Sequence, residues 1–129
     1  MPEFEHPEDL RYTAEHEWLR PDEDGTVRLG LTAHAQGELD DVVQVSLPRV
    51  GERVVGGTPC GEVESTLSVA DLYAPFDGVV TASNQHLEGS PELVNSDPYG
   101  EGWLLQLRPD DPRAATSSLD AAAYRAGLA

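Results

Sequence analysis

The chain has no lysine. Its 129 residues carry eight cationic side chains, all arginines: Arg11, Arg20, Arg28, Arg49, Arg53, Arg108, Arg113 and Arg125. Arginine stays protonated in proteins and makes a poor acyl acceptor, so no side chain can carry an acyl group through an amide. Cysteine is nearly as scarce. Cys60 stands alone, which excludes an internal disulfide and fits a reducing compartment. No apolar run is long enough to span a bilayer, and the acidic stretch from Met1 to Leu10 lacks the basic-then-apolar order of a signal peptide. The expectation is a soluble, cytoplasmic protein, with one domain over 1–129 long enough to bury a real core.

Positive charge is also scarce: 24 Asp and Glu stand against the eight arginines, a formal net charge of -16. Nucleic-acid binding needs a basic footprint that is missing here, and the same charge repels anionic lipid surfaces. It favours docking to basic patches on partner proteins, or is simply a solvated acidic surface. Metal-ligand spacing is absent too. His16 and His34 invite zinc, but there is no HExxH pattern and the single cysteine has no second thiol to pair with. Cys60 with His34 as base would make a nucleophile pair. Its flanks, Pro59 and Gly61, lie in an apparent strand, which reads instead as a buried, inert thiol. The sequence offers no catalytic residues.

What is present is a series of short strands and turns. Glu17 to Arg20 and Thr26 to Leu29 flank the turn-rich Pro21-Asp22-Glu23-Asp24-Gly25. Gly30 is expected to end the second strand, and Thr32 to cap a short helix through about Leu39. Asp41 to Leu47 is β-branched and stops at Pro48. Thr58 to Ser65 and Val69 to Tyr73 are strand candidates joined by a polar tip, Ser65-Thr66-Leu67-Ser68. A turn at Pro75-Phe76-Asp77-Gly78 leads into Val79 to Ala82, and Trp103 to Leu107 is the last strand. Leu119, Ala122, Ala123 and Ala126 recur at helical spacing, giving a C-terminal helix near 116–127. Many short strands with few helices indicate a small β-sandwich or flattened barrel. Trp18, Tyr73 and Trp103 read as core or rim aromatics.

Several segments, in order, resemble the glycine cleavage system H protein family. They are Tyr12-Thr13-Ala14-Glu15-His16-Glu17-Trp18, Gly30-Leu31-Thr32-Ala33-His34-Ala35-Gln36, Leu47-Pro48-Arg49-Val50-Gly51, Glu64 to Pro75, Pro91 to Tyr99, and Gly102-Trp103-Leu104. The resemblance runs from about Leu10 to Tyr124. It implies a mainly β fold, a two-sheet hybrid barrel of the lipoyl-carrier type with a C-terminal helix. It implies a non-catalytic shuttle whose lipoyl arm takes an aminomethyl group from the P protein, a PLP-dependent glycine decarboxylase. The arm passes it to the T protein, an aminomethyltransferase, and is reoxidised by the L protein, a dihydrolipoyl dehydrogenase. A lipoate ligase or lipoyltransferase attaches the arm.

The same resemblance makes 64–71 the attachment hairpin, with Glu64, Ser65 and Asp71 as its recognition residues. Glu17, His34 and Asp71 match the cleft into which the loaded arm folds. A tight turn exposes one side chain to the ligase, and a flexible arm gives high effective concentration at several sites. Carboxylates in the cleft can pair with the aminomethyl ammonium.

Three departures stand out: Leu67 occupies the place of the lipoyl lysine, Asp40 that of a usual glycine, and Gln44 that of a bulky apolar residue. As written, the chain has no lipoate cofactor. Three readings follow: a lipoate-free H-like scaffold or binding protein, an ordinary lipoyl carrier whose lysine has been replaced, or an enzyme in its own right. Leu67 is then an exposed apolar residue or a small contact for a partner, worth at most about 1.5–3 kcal/mol if enclosed. His34 is alternatively a plain surface residue at a helix start, and the hydroxyls of Ser65, Thr66 and Ser68 are turn chemistry or a further modification site.

Overall fold

The computed structural model describes residues 6–128, so Met1 to Glu5 of the acidic N-terminal stretch, and Ala129 of the expected 1–129 domain, lie outside it. Nine strands and four α-helices follow in order: β1 Arg11–Tyr12, β2 Glu17–Pro21, β3 Val27–Leu31, α1 Ala33–Leu39, β4 Val42–Ser46, β5 Arg53–Val54, β6 Pro59–Ser65, β7 Val69–Tyr73, β8 Gly78–Ser83, α2 His86–Gly89, α3 Leu93–Ser96, β9 Leu105–Pro109 and α4 Ala121–Leu128. They form a six-stranded sheet in the order β1-β2-β3-β9-β8-β5 and a three-stranded sheet in the order β4-β6-β7. The named strand pairs are all antiparallel, so the expected two-sheet, mainly β architecture is the one observed.

Alternation along each strand sends one set of side chains inward. Leu29, Leu105 and Leu107 from the larger sheet meet Val42, Val63 and Leu72 from the smaller one in a shared core. A second cluster, Leu10, Tyr12, Trp18, Ala121 and Tyr124, holds α4 to the outside of β1 and β2. There Tyr12 and Tyr124 stack with centroids 4.8 Å apart.

The expected helix at 32–39 forms as Ala33–Leu39, with the Thr32 hydroxyl accepting from the Ala35 N–H at 3.2 Å. Gly30 does not end its strand. It sits opposite Trp18 in the ladder, and a Cβ there would stand 2.7 Å from the indole. Glycine is needed for that close approach, and β3 runs on to Leu31. The last strand begins at Leu105 rather than Trp103. The C-terminal helix begins at Ala121 rather than 116, because Leu119 is drawn into a backbone bridge with Tyr12. A 3-10 turn, Ala115–Ser117, precedes that bridge, and the Asp120 carboxylate then accepts from the Ala123 N–H at 2.8 Å to start α4.

Asp40 closes α1 with φ 70° and ψ -154°, a region nearly reserved for glycine, where another residue costs on the order of 1–3 kcal/mol. Asp40→Gly should therefore raise unfolding stability by about 1 kcal/mol or more. Urea denaturation of the two proteins checks this, and equal midpoints would contradict the strain.

Candidate functional site

The β6–β7 hairpin of the smaller sheet has an exposed tip at Thr66, Leu67 and Ser68. Its register pairs Glu64 with Val69, Val63 with Ala70, and Glu62 with Asp71. Val63 and Leu72 point into the core while Glu62, Glu64, Val69 and Asp71 are exposed, so the outer face of the hairpin is largely acidic. The turn is built around Ser65, which is 6 % exposed. Its hydroxyl oxygen accepts from the N–H groups of Leu67 and Ser68, both at 3.1 Å, and lies 3.2 Å from the Ser68 carbonyl. The Ser65 N–H donates to the Ser68 carbonyl at 2.8 Å, and the Thr66 N–H to the Asp41 carbonyl at 3.0 Å. Every tip amide is thus engaged. The Leu67 side chain is 70 % exposed at the apex.

Beside the hairpin lies a depression of about 180 Å³. Leu31, Ala35, Leu39, Val63 and Ala70 supply its apolar walls, and Glu15, His16, Glu38 and Asp71 its polar ones. An apolar channel rimmed by three carboxylates suits an aliphatic chain ending in a cation.

Of the residues expected at a cleft, Asp71 lines this depression directly. His34 stands one layer back: its ring packs on His16 with centroids 4.5 Å apart, and its Nε2 is 3.5 Å from a Glu38 carboxylate oxygen. Glu17 is 2 % exposed. Its carboxylate accepts from the Thr13 hydroxyl at 3.3 Å and from the Tyr73 backbone N–H, yet burial pushes its pKa up to about 8. Burial, then the Glu17 charge, pushes the Cys60 thiol up to about 11, so this cysteine is a protonated thiol at neutral pH. Glu64 is exposed on the outer face of β6, away from the depression.

His16, Glu15 and Glu38 are site residues that the residue-level reading did not single out as such. The pattern Glu15-His16-Glu17 at a strand start, and Glu38 one helical turn after His34, are the signals that could have found them. His16 has φ 66°. Its Nδ1 lies 2.7 Å from the Tyr124 hydroxyl, which in turn lies 2.9 Å from the Thr32 hydroxyl. Burial, followed by the neighbouring His34, lowers the His16 pKa, so at neutral pH a neutral ring lines the depression. Among the described residues no group of three or more His, Cys, Asp or Glu side chains is placed to hold a metal ion. No helix among them is long and apolar enough to cross a membrane.

Known proteins share this sequence and this architecture over nearly their whole length. A glycine cleavage system H protein of Mycobacterium avium is 59 % identical over 126 residues, covering 95 % of this chain and 96 % of the relative. One of Mycobacterium leprae is 57 % identical over the same length. A crystal structure of a glycine cleavage system H protein from Mycobacterium marinum superposes with a TM-score of 0.85 at 42 % identity, covering 95 % of this chain and 98 % of that one. The family model described as Glycine cleavage H-protein matches residues 10–129. With the two-sheet fold, the acidic hairpin and the adjoining depression already in place, this match over nearly the full chain puts the protein in the glycine cleavage H-protein family.

Proposed function

We propose that this protein is a lipoate-free, non-catalytic member of the family, a cytoplasmic scaffold that presents the shape of a lipoyl carrier to partners without carrying a group between them. The observation behind this reading is the apex of the hairpin. Leu67 projects there, 70 % exposed, where the resemblance places the lipoyl lysine, and no other side chain in the molecule offers an amine. The partners are those of the carrier: the P, T and L proteins and the enzymes that attach lipoate. The acidic outer face, with Glu62, Glu64 and Asp71, suits basic surfaces on them. Glu64, Ser65 and Asp71 act as recognition residues of the hairpin, and Glu17 and His34 support the wall of the depression.

A second reading is that of an ordinary lipoyl carrier whose lysine has been replaced. Its support is the state of the site: the tip is fully hydrogen bonded and the apolar depression with its three carboxylates is intact. The enzyme reading has little behind it, since the thiol of Cys60 is held protonated.

The deciding experiment is a reconstituted glycine cleavage reaction driven by a lipoylated H protein. With this chain as the sole H component, glycine oxidation should stay at background. Added in excess over the lipoylated protein, it should slow the reaction by occupying its partners. Turnover with this chain alone would overturn the lipoate-free reading, and an absence of competition at saturating excess would overturn the scaffold role.

A further inference from the structure

Charge is divided between the two sheets. The six strands of the larger one hold five arginines, Arg11, Arg20, Arg28, Arg53 and Arg108, and a single carboxylate, Glu17, which is buried. The three strands of the smaller one hold no arginine and three carboxylates, Glu62, Glu64 and Asp71. In a chain with 24 Asp and Glu against eight arginines, an even scatter of charge would put carboxylates in excess on both. The hairpin side is acidic, and the strands of the larger sheet are basic.

Register gathers three of these arginines on the outer face of the larger sheet. Leu19, Val27, Leu29, Leu105, Leu107 and Val80 belong to the core, so the residues alternating with them point outward. Arg20 lies directly opposite Arg28, Arg28 opposite Gln106, and Arg108 opposite Val79. Like charges directly opposite one another in a ladder repel, and here two indoles hold the pair in place. The Arg20 guanidinium lies 4.9 Å from the centre of the Trp18 ring, and the Arg28 guanidinium 4.2 Å from that of Trp103. Arg20 also donates to the Tyr99 carbonyl and Arg108 to the Asp24 carbonyl, both at 3.2 Å. These contacts take only part of each guanidinium, which has five N–H donors. Two carboxylates at the border of the face are already taken: Asp24 accepts from the Thr26 hydroxyl at 2.6 Å, and Asp110 pairs with Arg53.

We propose that this face is a docking surface for an acidic segment of a partner protein, whose carboxylates take the guanidinium forks of Arg20, Arg28 and Arg108. Arginine and large aromatic side chains are the residues that anchor protein interfaces. The two-pronged fit of a carboxylate to a guanidinium is the strongest contact open to them. A nucleic acid would need an open ring on which to stack its bases, and Arg28 already lies over the Trp103 ring. The net charge of the molecule does not forbid the encounter. Packed sheets stand about 10 Å apart, and at physiological salt the Debye length is about 8 Å, so the acidic side is largely screened from this one. The larger sheet thus takes an acidic partner while the hairpin side takes a basic one, and one molecule can join the two. Residue 67 plays no part in this face, so its test stands apart from the lipoate-free reading.

Titration of the isotope-labelled full chain with a capped octaglutamate peptide, followed by nuclear magnetic resonance at about 0.15 M salt, tests it. The expected result is a saturable shift of the Trp103 indole N–H and of the Arg20 and Arg28 side-chain N–H signals, half complete at about 1 mM. The amides of Glu62 to Asp71 should stay where they are, and octalysine should leave the arginine signals in place. Arg28→Glu should weaken octaglutamate binding at least about tenfold. Arg28→Lys, which keeps the charge but loses the fork, should weaken it several-fold. Circular dichroism melts establish that each variant is folded. Signals unmoved by octaglutamate up to about 10 mM overturn the proposal. So does binding indifferent to Arg28→Glu, or tighter binding of octathymidylate to the same face, which would make a nucleic acid its occupant.

Discussion

Leu67→Lys should turn an inert protein into a lipoate acceptor. Incubated with a lipoate ligase or lipoyltransferase and its substrates, the chain with Leu67 should keep its unmodified mass, and the variant should gain one lipoyl group to near completion. The change is all-or-none because the acceptor is a bond-forming amine, which leucine lacks and arginine does not replace. Leu67→Arg is therefore the matched control and should stay unmodified. Folding should not confound the result. The turn is held by the Ser65 hydroxyl bonded to backbone groups of Leu67 and Ser68, and the leucine side chain is exposed, so the exchange belongs to surface substitutions worth about ±0.5 kcal/mol. Intact-mass measurement with peptide mapping over residue 67 reads the outcome. An unmodified Leu67→Lys protein would mean that recognition has decayed beyond the tip, with the strained Asp40 the next position to restore. Lipoate on the chain with Leu67 would end the scaffold reading.

The second large effect concerns Glu17. Its carboxyl is almost wholly buried and its pKa stands near 8 against an ordinary 4.5. The folded state therefore holds a proton on Glu17 that the unfolded state has already released. Between those two values the folded state binds more protons, so stability falls as pH rises. The contribution is full below pH 4.5 and lost by about pH 8, a change on the order of 5 kcal/mol at about 1.4 kcal/mol per unit. Glu17→Gln keeps an oxygen for the Thr13 hydroxyl and the Tyr73 N–H but cannot ionise. The variant should unfold much like the natural protein at pH 4 and be more stable at pH 8. Denaturant titrations across this range supply both curves, and parallel curves would show that Glu17 does not control the slope.

Where neighbouring residues alone set an element, the sequence displayed it. Val69–Tyr73 forms as the strand read beside the polar tip, and Thr32 caps α1 as its hydroxyl suggested. Elements set by distant partners were not visible. β1 and β5 are two residues each and exist because β2 and β8 lie alongside. α2 and α3 are single turns pinned by buried Leu87 and Val94, too short for any helical period to emerge. The start of α4 depends on Tyr12, more than a hundred residues upstream. At the site, the hairpin and Leu67 were legible because they are contiguous. The depression was legible only in part, because its walls come from the β1–β2 turn, β3, α1, β6 and β7. Gly30 was misread because a glycine that ends a strand and one that admits an indole are written alike.

The fully bonded tip also governs reach. With all its amides engaged, the backbone at Leu67 adds little motion of its own, so any search of the surroundings is made by the rotors of the side chain alone. A lysine bearing a long acyl arm sweeps a wide shell from such a fixed pivot and can visit active sites while the carrier stays put. A leucine has two rotors and reaches only a few bonds. A protein with leucine there meets its partners by surface contact alone, and its encounters must be settled by how well the two faces fit where they touch.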